Sequence, residues 1–118
     1  MRSNALLERL DEEILVGDGG MGSMLGSRGI PWNACFEATN LSQPDLVKAL
    51  HLEFVAAGSQ IVETNSFTAT RISLADYGLE DAAHDINVAS ARLARQAADA
   101  QTGLTPDRPR FVAGSVGP

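Results

Sequence analysis

The sequence has one cysteine and one tryptophan among 118 residues, and no apolar run approaches the ~18 residues needed to cross a bilayer. A lone thiol excludes an internal disulfide framework and a cysteine-only zinc site built within this chain. Basic residues are scarce as well: nine Lys and Arg stand against fifteen Asp and Glu, a formal charge of −6. That balance argues against a nucleic-acid or anionic-membrane surface. The first ten residues carry charges too early for a secretory signal core. What is there is ordinary for a globular domain, with 44% hydrophobic and 20% charged residues, so a disordered chain is not expected. The length suits one domain over residues 1–118 and not two. The expectation is a soluble, acidic protein of cytoplasmic type.

Residues 4–12 carry Leu6, Leu7 and Leu10 on one side of a short amphipathic helix. Ile14-Leu15-Val16 is a continuous apolar run that stops at Gly17-Asp18-Gly19-Gly20. An unbroken run bounded by turn residues predicts a strand covered on both faces, as in parallel sheets. Gly22, Gly26, Gly29 and Pro31 then give residues 22–41 the character of a loop. Ser42 is placed to cap a helix whose first turn holds Pro44 and Asp45. Leu46, Val47, Leu50, Phe54 and Val55 follow at helical spacing, and Gly58 ends it.

Residues 60–64 read as a second strand, 69–77 as a short helix ending at Gly78, and 81–100 as a longer helix. Ile86, Leu93 and Ala97 form much of the buried stripe of that longer helix. Pro106 and Pro109 bracket a loop before a third strand at 110–114. Strands alternating with helices imply right-handed crossovers and a parallel sheet. A sheet of only three parallel strands would leave open edges, so the chain reads as the opening part of a larger α/β structure.

Gly17-Asp18-Gly19-Gly20-Met21-Gly22 matches G-x-G-x-x-G and follows a strand, a pattern that is weak without its context. A dinucleotide site needs a helix opening from the loop and an acidic residue ~20 positions on, at the end of the second strand. Here the glycines and Pro31 argue against that helix, twenty positions on falls at Glu37 inside the loop, and Asp18 would repel a diphosphate. The alternative uses the C-terminal ends of the parallel strands, where sites in such sheets are built. Asp18, the segment Glu63-Thr64-Asn65-Ser66, and Gly114-Ser115 would then open on one face. Asp18 offers an acceptor for an ammonium group, while Thr64, Asn65 and Ser66 offer donors for a carboxylate, as a free amino acid requires. A plainer possibility is that Asp18 and Asn65 only satisfy turn backbone.

Several segments are more specific. Residues 14–24, Leu41-Ser42-Gln43-Pro44-Asp45-Leu46-Val47 with His51, and the run 57–67 come first, in collinear order. The runs 75–80, 86–89 and 109–118 continue it. Together they resemble the homocysteine S-methyltransferase family, most of all its cobalamin-dependent branch. The resemblance implies a (β/α)8 TIM barrel, of which this chain would be the N-terminal portion with about three parallel strands. It implies methyl transfer to homocysteine, with Asp18, Gly19, Gly20, Thr64, Asn65 and Ser115 carried over as substrate-binding residues. It also implies zinc, which favours the thiolate of the bound substrate, and cobalamin, with methylcobalamin or methyltetrahydrofolate as methyl donor. The family's zinc ligands are three cysteines from later strands, none of them matched here. No catalytic residue and no metal ligand is therefore assigned to this chain, and its partner would be the missing remainder of the barrel.

Cys35 reads as a small, partly buried residue, and His51 and His84 as packing or surface residues. Arg92, Arg95, Asp85 and Asp99 read as a solvated helix face. A relative fused to a methylenetetrahydrofolate reductase, a betaine-type relative, an inactive truncated remnant and a small ligand-binding module remain open alternatives.

Overall fold

The sheet lies at the centre of the chain's organisation. In the computed structural model, which describes residues 2–118, Ile61–Glu63 (β1) and Phe111–Ala113 (β2) pair in parallel, with Ile61 opposite Phe111 and Glu63 opposite Ala113. The other side of β1 is met by the segment around Gly17, through one isolated parallel bridge to Ile61. The expected first strand is thus reduced to a single bridge. Val16 O accepts from both Gln60 N (2.7 Å) and Ile61 N (3.1 Å), and Val16 N is taken by the Gln60 side chain at 3.2 Å. A side-chain amide replaces the next rung, so the ladder does not extend toward Ile14. Coverage on both faces is also absent, since Ile14 is 93% and Val16 55% exposed.

Helices fill the rest: Arg2–Glu12 (α1), Met21–Ser27 (α2), Thr39–Ser42 (α3), Pro44–Ala57 (α4), Arg71–Leu74 (α5) and Ala83–Leu104 (α6). Short 3-10 turns at Phe36–Ala38, Ala75–Tyr77 and Glu80–Ala82 lead into or out of them. The segment read as a loop at 22–41 therefore contains a helix that begins directly after Gly20. Its glycines are tolerated because they make room for rings. A Cβ at Gly22 would lie 3.3 Å from the Phe36 ring, and one at Gly26 would lie 2.7 Å from Trp32. Leu25, fully buried, anchors the turn, and Gly29 with φ +96° releases the chain from it.

Ser42 is another correction. It lies at the end of α3, its hydroxyl bonded back to Ala38 O at 3.3 Å, and Gln43 takes the cap position of α4. Pro44, Asp45 and the left-handed Gly58 (φ +121°) sit where the sequence puts them. The short helix ends at Gly78 in the left-handed conformation, and α6 extends further than expected, through Gly103 to Leu104.

Packing is dominated by α4 against α6. Val47 and Leu50 of α4 meet Leu25, Ile30 and Leu93, while Val55 meets Val62, Ala94 and Ala98. Alanines on that face of α6 let the two helices and β1 approach closely. A third cluster joins Ala69, Leu74 and Ile86 beneath the β1–α5 connection. By contrast, Leu7 and Leu10 of α1 are exposed. Arg110, only 6% exposed, holds the end of α4 to the start of β2. Its guanidinium donates to Val55 O at 3.0 Å and Ser59 O at 2.7 Å, a cation at a helix C-terminus where the dipole favours it.

His51 lies inside this core with both ring nitrogens unpartnered among the described residues. Burial pushes its imidazole down to about 4 from 6.5. Unfolding lets it take up a proton, so stability is lost as pH falls from 6.5 toward 4, by about 3 kcal/mol at the limit. His51→Leu should remove this increment. Chemical denaturation of both proteins at pH 7 and pH 4.5 should show a smaller acid-induced loss for the variant; an equal loss would contradict the assignment.

Candidate functional site

Parallel pairing sends the ends of the Gly17 segment, β1 and β2 out on one side. A cavity of about 420 Å³ lies there. Asp18, Gly19, Gly20, Thr64, Asn65 and Ser115, the six residues singled out from the sequence, all line it. The wall also includes Met21, Phe36, Glu37, Phe67 and Thr68, which the sequence reading did not select. A helix beginning at Met21 and a turn at Phe36–Ala38 bring the first three of these in, and the loop expectation for 22–41 hid Phe36 and Glu37. A polar residue beside an aromatic in Phe36-Glu37 and again in Phe67-Thr68 was the only signal available.

Asp18 is half-buried, and its backbone N–H donates to Ile61 O at 3.0 Å. Its Oδ2 accepts from Glu63 N at 3.2 Å, whereas Oδ1 is buried without a partner among the described residues. Burial, followed by the nearby Glu63 carboxylate, pushes the Asp18 carboxyl up to about 6, against the opposing hydrogen bond from Glu63 N. An ionised carboxylate with one oxygen dry and unpartnered is a group that a cation would stabilise. Gly19 is packed against Phe54, where a Cβ would come within 2.9 Å of the ring, and Gly20 is the cap residue of α2.

The opposite wall is hydrogen-bonded within itself. Ser115 N donates to Thr64 Oγ1 at 3.0 Å, and Ser66 Oγ donates to Ser115 O at 2.8 Å. The Thr64 and Ser66 hydroxyls are 2.6 Å apart. Asn65, 7% exposed, directs its amide away toward Asn40 Oδ1 (3.0 Å) and Phe36 O (3.2 Å). Asn65 therefore lines the cavity with its backbone and braces the Phe36 turn with its side chain. Glu37 accepts from the Thr68 hydroxyl at 2.6 and 2.7 Å.

Asp18, Glu37 and Glu63 line the cavity, and among the described residues no Lys, Arg or His does. The helix that a dinucleotide site requires does follow Gly20, contrary to expectation, yet an acid-only lining repels a diphosphate. Among the described residues no group of three His, Cys, Asp or Glu could hold a metal. Cys35 is half-buried and its thiol is pushed up by burial, opposite to what a metal-binding thiolate needs. These residues do not fit a zinc site.

Residues 15–118 match the model of the homocysteine S-methyltransferase family. The chain belongs to that family. A methionine synthase of Mycobacterium leprae is 37% identical over 121 residues, an alignment covering 96% of this chain and 10% of the relative. The chain thus spans about a tenth of that relative's length. The metallated form of the homocysteine methyltransferase MmuM from Escherichia coli superposes with a TM-score of 0.83 at 34% identity, over 94% of this chain and 40% of that one. Its apo form gives 0.66 at 31% identity, over 89% and 37%. The fold of this family member is a mostly helical α/β unit with two parallel strands. Among the described residues no helix is long and apolar enough to cross a membrane.

Asp18→Asn removes a charge that the fold strains to keep dry. With the carboxyl pushed up to about 6 from 3.8, the native state holds the proton more tightly, so stability falls as pH rises through that window. Discounted for partial exposure, the variant should be about 1 kcal/mol more stable than the parent at pH 7.5 and equal to it near pH 3.5. Melting curves at the two pH values check this, and a variant less stable at pH 7.5 would contradict it.

Proposed function

We propose that this chain is part of a homocysteine S-methyltransferase of the methionine synthase type, and that its own share is to hold the amino acid. The observation that carries the reading is Asp18 Oδ1, an unpartnered carboxylate oxygen at the wall of an acid-lined cavity. An ammonium group placed against it forms a charge-assisted hydrogen bond where desolvation makes such a bond strong. Gly19 lets the chain beside Asp18 pack against Phe54 and Gly20 opens α2, and Thr64, Asn65 and Ser115 form the wall that receives the rest of the substrate. A cavity of about 420 Å³ accommodates a molecule of homocysteine's size.

The reaction of the whole protein, on this reading, moves a methyl group to the homocysteine sulfur, giving methionine. The donor–methyl bond breaks with its electron pair left on the donor, the S–CH3 bond forms from a sulfur lone pair, and the thiol proton leaves. Methylcobalamin or methyltetrahydrofolate would be the donor on this reading, and the likeness to the Mycobacterium leprae methionine synthase supports methionine as the product. No step derived from the residues in hand runs through zinc or cobalamin. What they contribute is placement: Asp18 fixes the ammonium end, and fixing one end of a short chain limits where its sulfur can lie. A (β/α)8 barrel belongs to the same proposal. It is supported by the sequential parallel order of the Gly17 segment, β1 and β2, with helices in the connections.

The test is L-homocysteine binding to the full-length protein, measured by calorimetry under reducing conditions. Asp18→Asn should raise the dissociation constant at least about tenfold, the size expected for losing a hydrogen bond to a charged group. In the parent, affinity should fall as pH drops below about 6, because protonated Asp18 no longer attracts the ammonium. Unchanged affinity in the variant would remove the assignment.

A further inference from the structure

The wall formed by residues 64–66 carries hydroxyls and an amide, yet tracing each side-chain proton leaves none for a ligand. Ser115 N–H goes to Thr64 Oγ1, and the Ser66 proton goes to Ser115 O. The 2.6 Å contact between the two hydroxyls is therefore the Thr64 proton donated to Ser66. The ring closes on itself. Asn65 Nδ2 has two protons and faces three acceptors: Asn40 Oδ1 at 3.0 Å, Phe36 O at 3.2 Å and Thr39 Oγ1 at 3.4 Å. Among the described residues no Lys, Arg or His lines the cavity. Of the backbone N–H groups of this turn, Thr64 N donates to Ala113 O at 3.0 Å and Ser66 N to Thr64 O at 2.9 Å, which leaves the Asn65 N–H to receive a substrate carboxylate. Unlike a flexible ammonium group, a backbone dipole cannot reach for its partner, so its placement decides what it contributes.

One side chain sets that placement. Asn40 is 2% exposed, and its Nδ2 donates to Asn65 O at 2.8 Å and to Ile86 O of α6 at 3.3 Å. Its Oδ1 accepts from Asn65 Nδ2 at 3.0 Å. Backbone and side chain of residue 65 are thus both held by one buried amide, itself tied to the longest helix. We propose that Asn40 is a positioning residue for the amino-acid pocket, locking the 64–66 turn against α6 so that the backbone N–H of Asn65 receives the substrate carboxylate. This rests on reading the cavity as the homocysteine site.

The experiment compares L-homocysteine with 3-aminopropane-1-thiol, which keeps the amine and thiol but lacks the carboxylate. Both dissociation constants are measured on the full-length protein by calorimetry. Asn40→Ala should raise the constant for homocysteine about tenfold and leave that for the analogue within about twofold, so that the preference for the carboxylate collapses. Equal weakening of both ligands would mean a merely structural role and would overturn the proposal, as would no change in either. Should Asn40→Ala fail to fold, Asn65→Ala deletes the side-chain half of the pair while keeping the carbonyl bond. It should then show the same selective loss at about threefold. Asp18→Asn separates the two readings, because it should weaken both amine-bearing ligands alike and preserve their ratio. If Asp18→Asn leaves homocysteine binding intact, the pocket reading falls and this inference with it. If Asp18→Asn weakens binding but neither asparagine variant alters the ratio, the inference alone falls.

Discussion

Parallel pairing along three residues, Ile61–Glu63, is the constraint on which the rest of this chain depends. Strands that run in the same direction must all leave the sheet on the same side. Asp18, Thr64 and Ser115 are separated by about 50 residues each in sequence and still line one cavity for that reason alone. The long connections that parallel strands require are supplied by α4 and α6, and their mutual packing through Val55, Val62, Ala94 and Ala98 fixes where β1 sits. Remove that packing and the three strand ends have nothing to hold them in register.

The site itself divides into two walls with opposite properties. Around Asp18 the groups are under-satisfied: a buried carboxylate oxygen lacks a partner, and the carboxyl resists ionisation. Around Thr64 and Asn65 they are over-provided, with a closed ring of hydroxyls and a buried pair of asparagines. An unsatisfied carboxylate thus faces a wall whose side-chain donors are already spent within the protein. It also carries a cost in stability at neutral pH, which native proteins tolerate where a ligand supplies the missing partner.

Much of this could be read from residue order. The two later strands, the Pro44–Asp45 helix start, Gly58 and Gly78 as helix ends, and the stripe Ile86, Leu93 and Ala97 follow from local rules, and the structure agrees with them. The expected first strand shrank to one bridge because the Gln60 side chain takes Val16 N, and other local expectations failed for physical reasons too. Glycine content at 22–41 suggested a loop, but Gly22 and Gly26 occupy one side of a helix that accepts the Phe36 and Trp32 rings. Ser42 has the right chemistry for a cap, but α3 ends there and its hydroxyl turns back to Ala38 O. His51, too, looked like an ordinary packing residue, and nothing local announces that both its nitrogens lie in an apolar core.

The sequence by itself determined the class of fold, the family and the six residues at the strand ends, because periodicity, turn chemistry and motif order are properties of neighbouring residues. Only the tertiary structure decided what those residues do with their protons. Asn65 and Ser66 have the same donors in any conformation, and whether those donors face a ligand or Asn40 and Ser115 depends on segments about 25 and 50 residues away. Hydrogen bonds made across such distances leave no trace in the local pattern, and neither does the dry oxygen of Asp18.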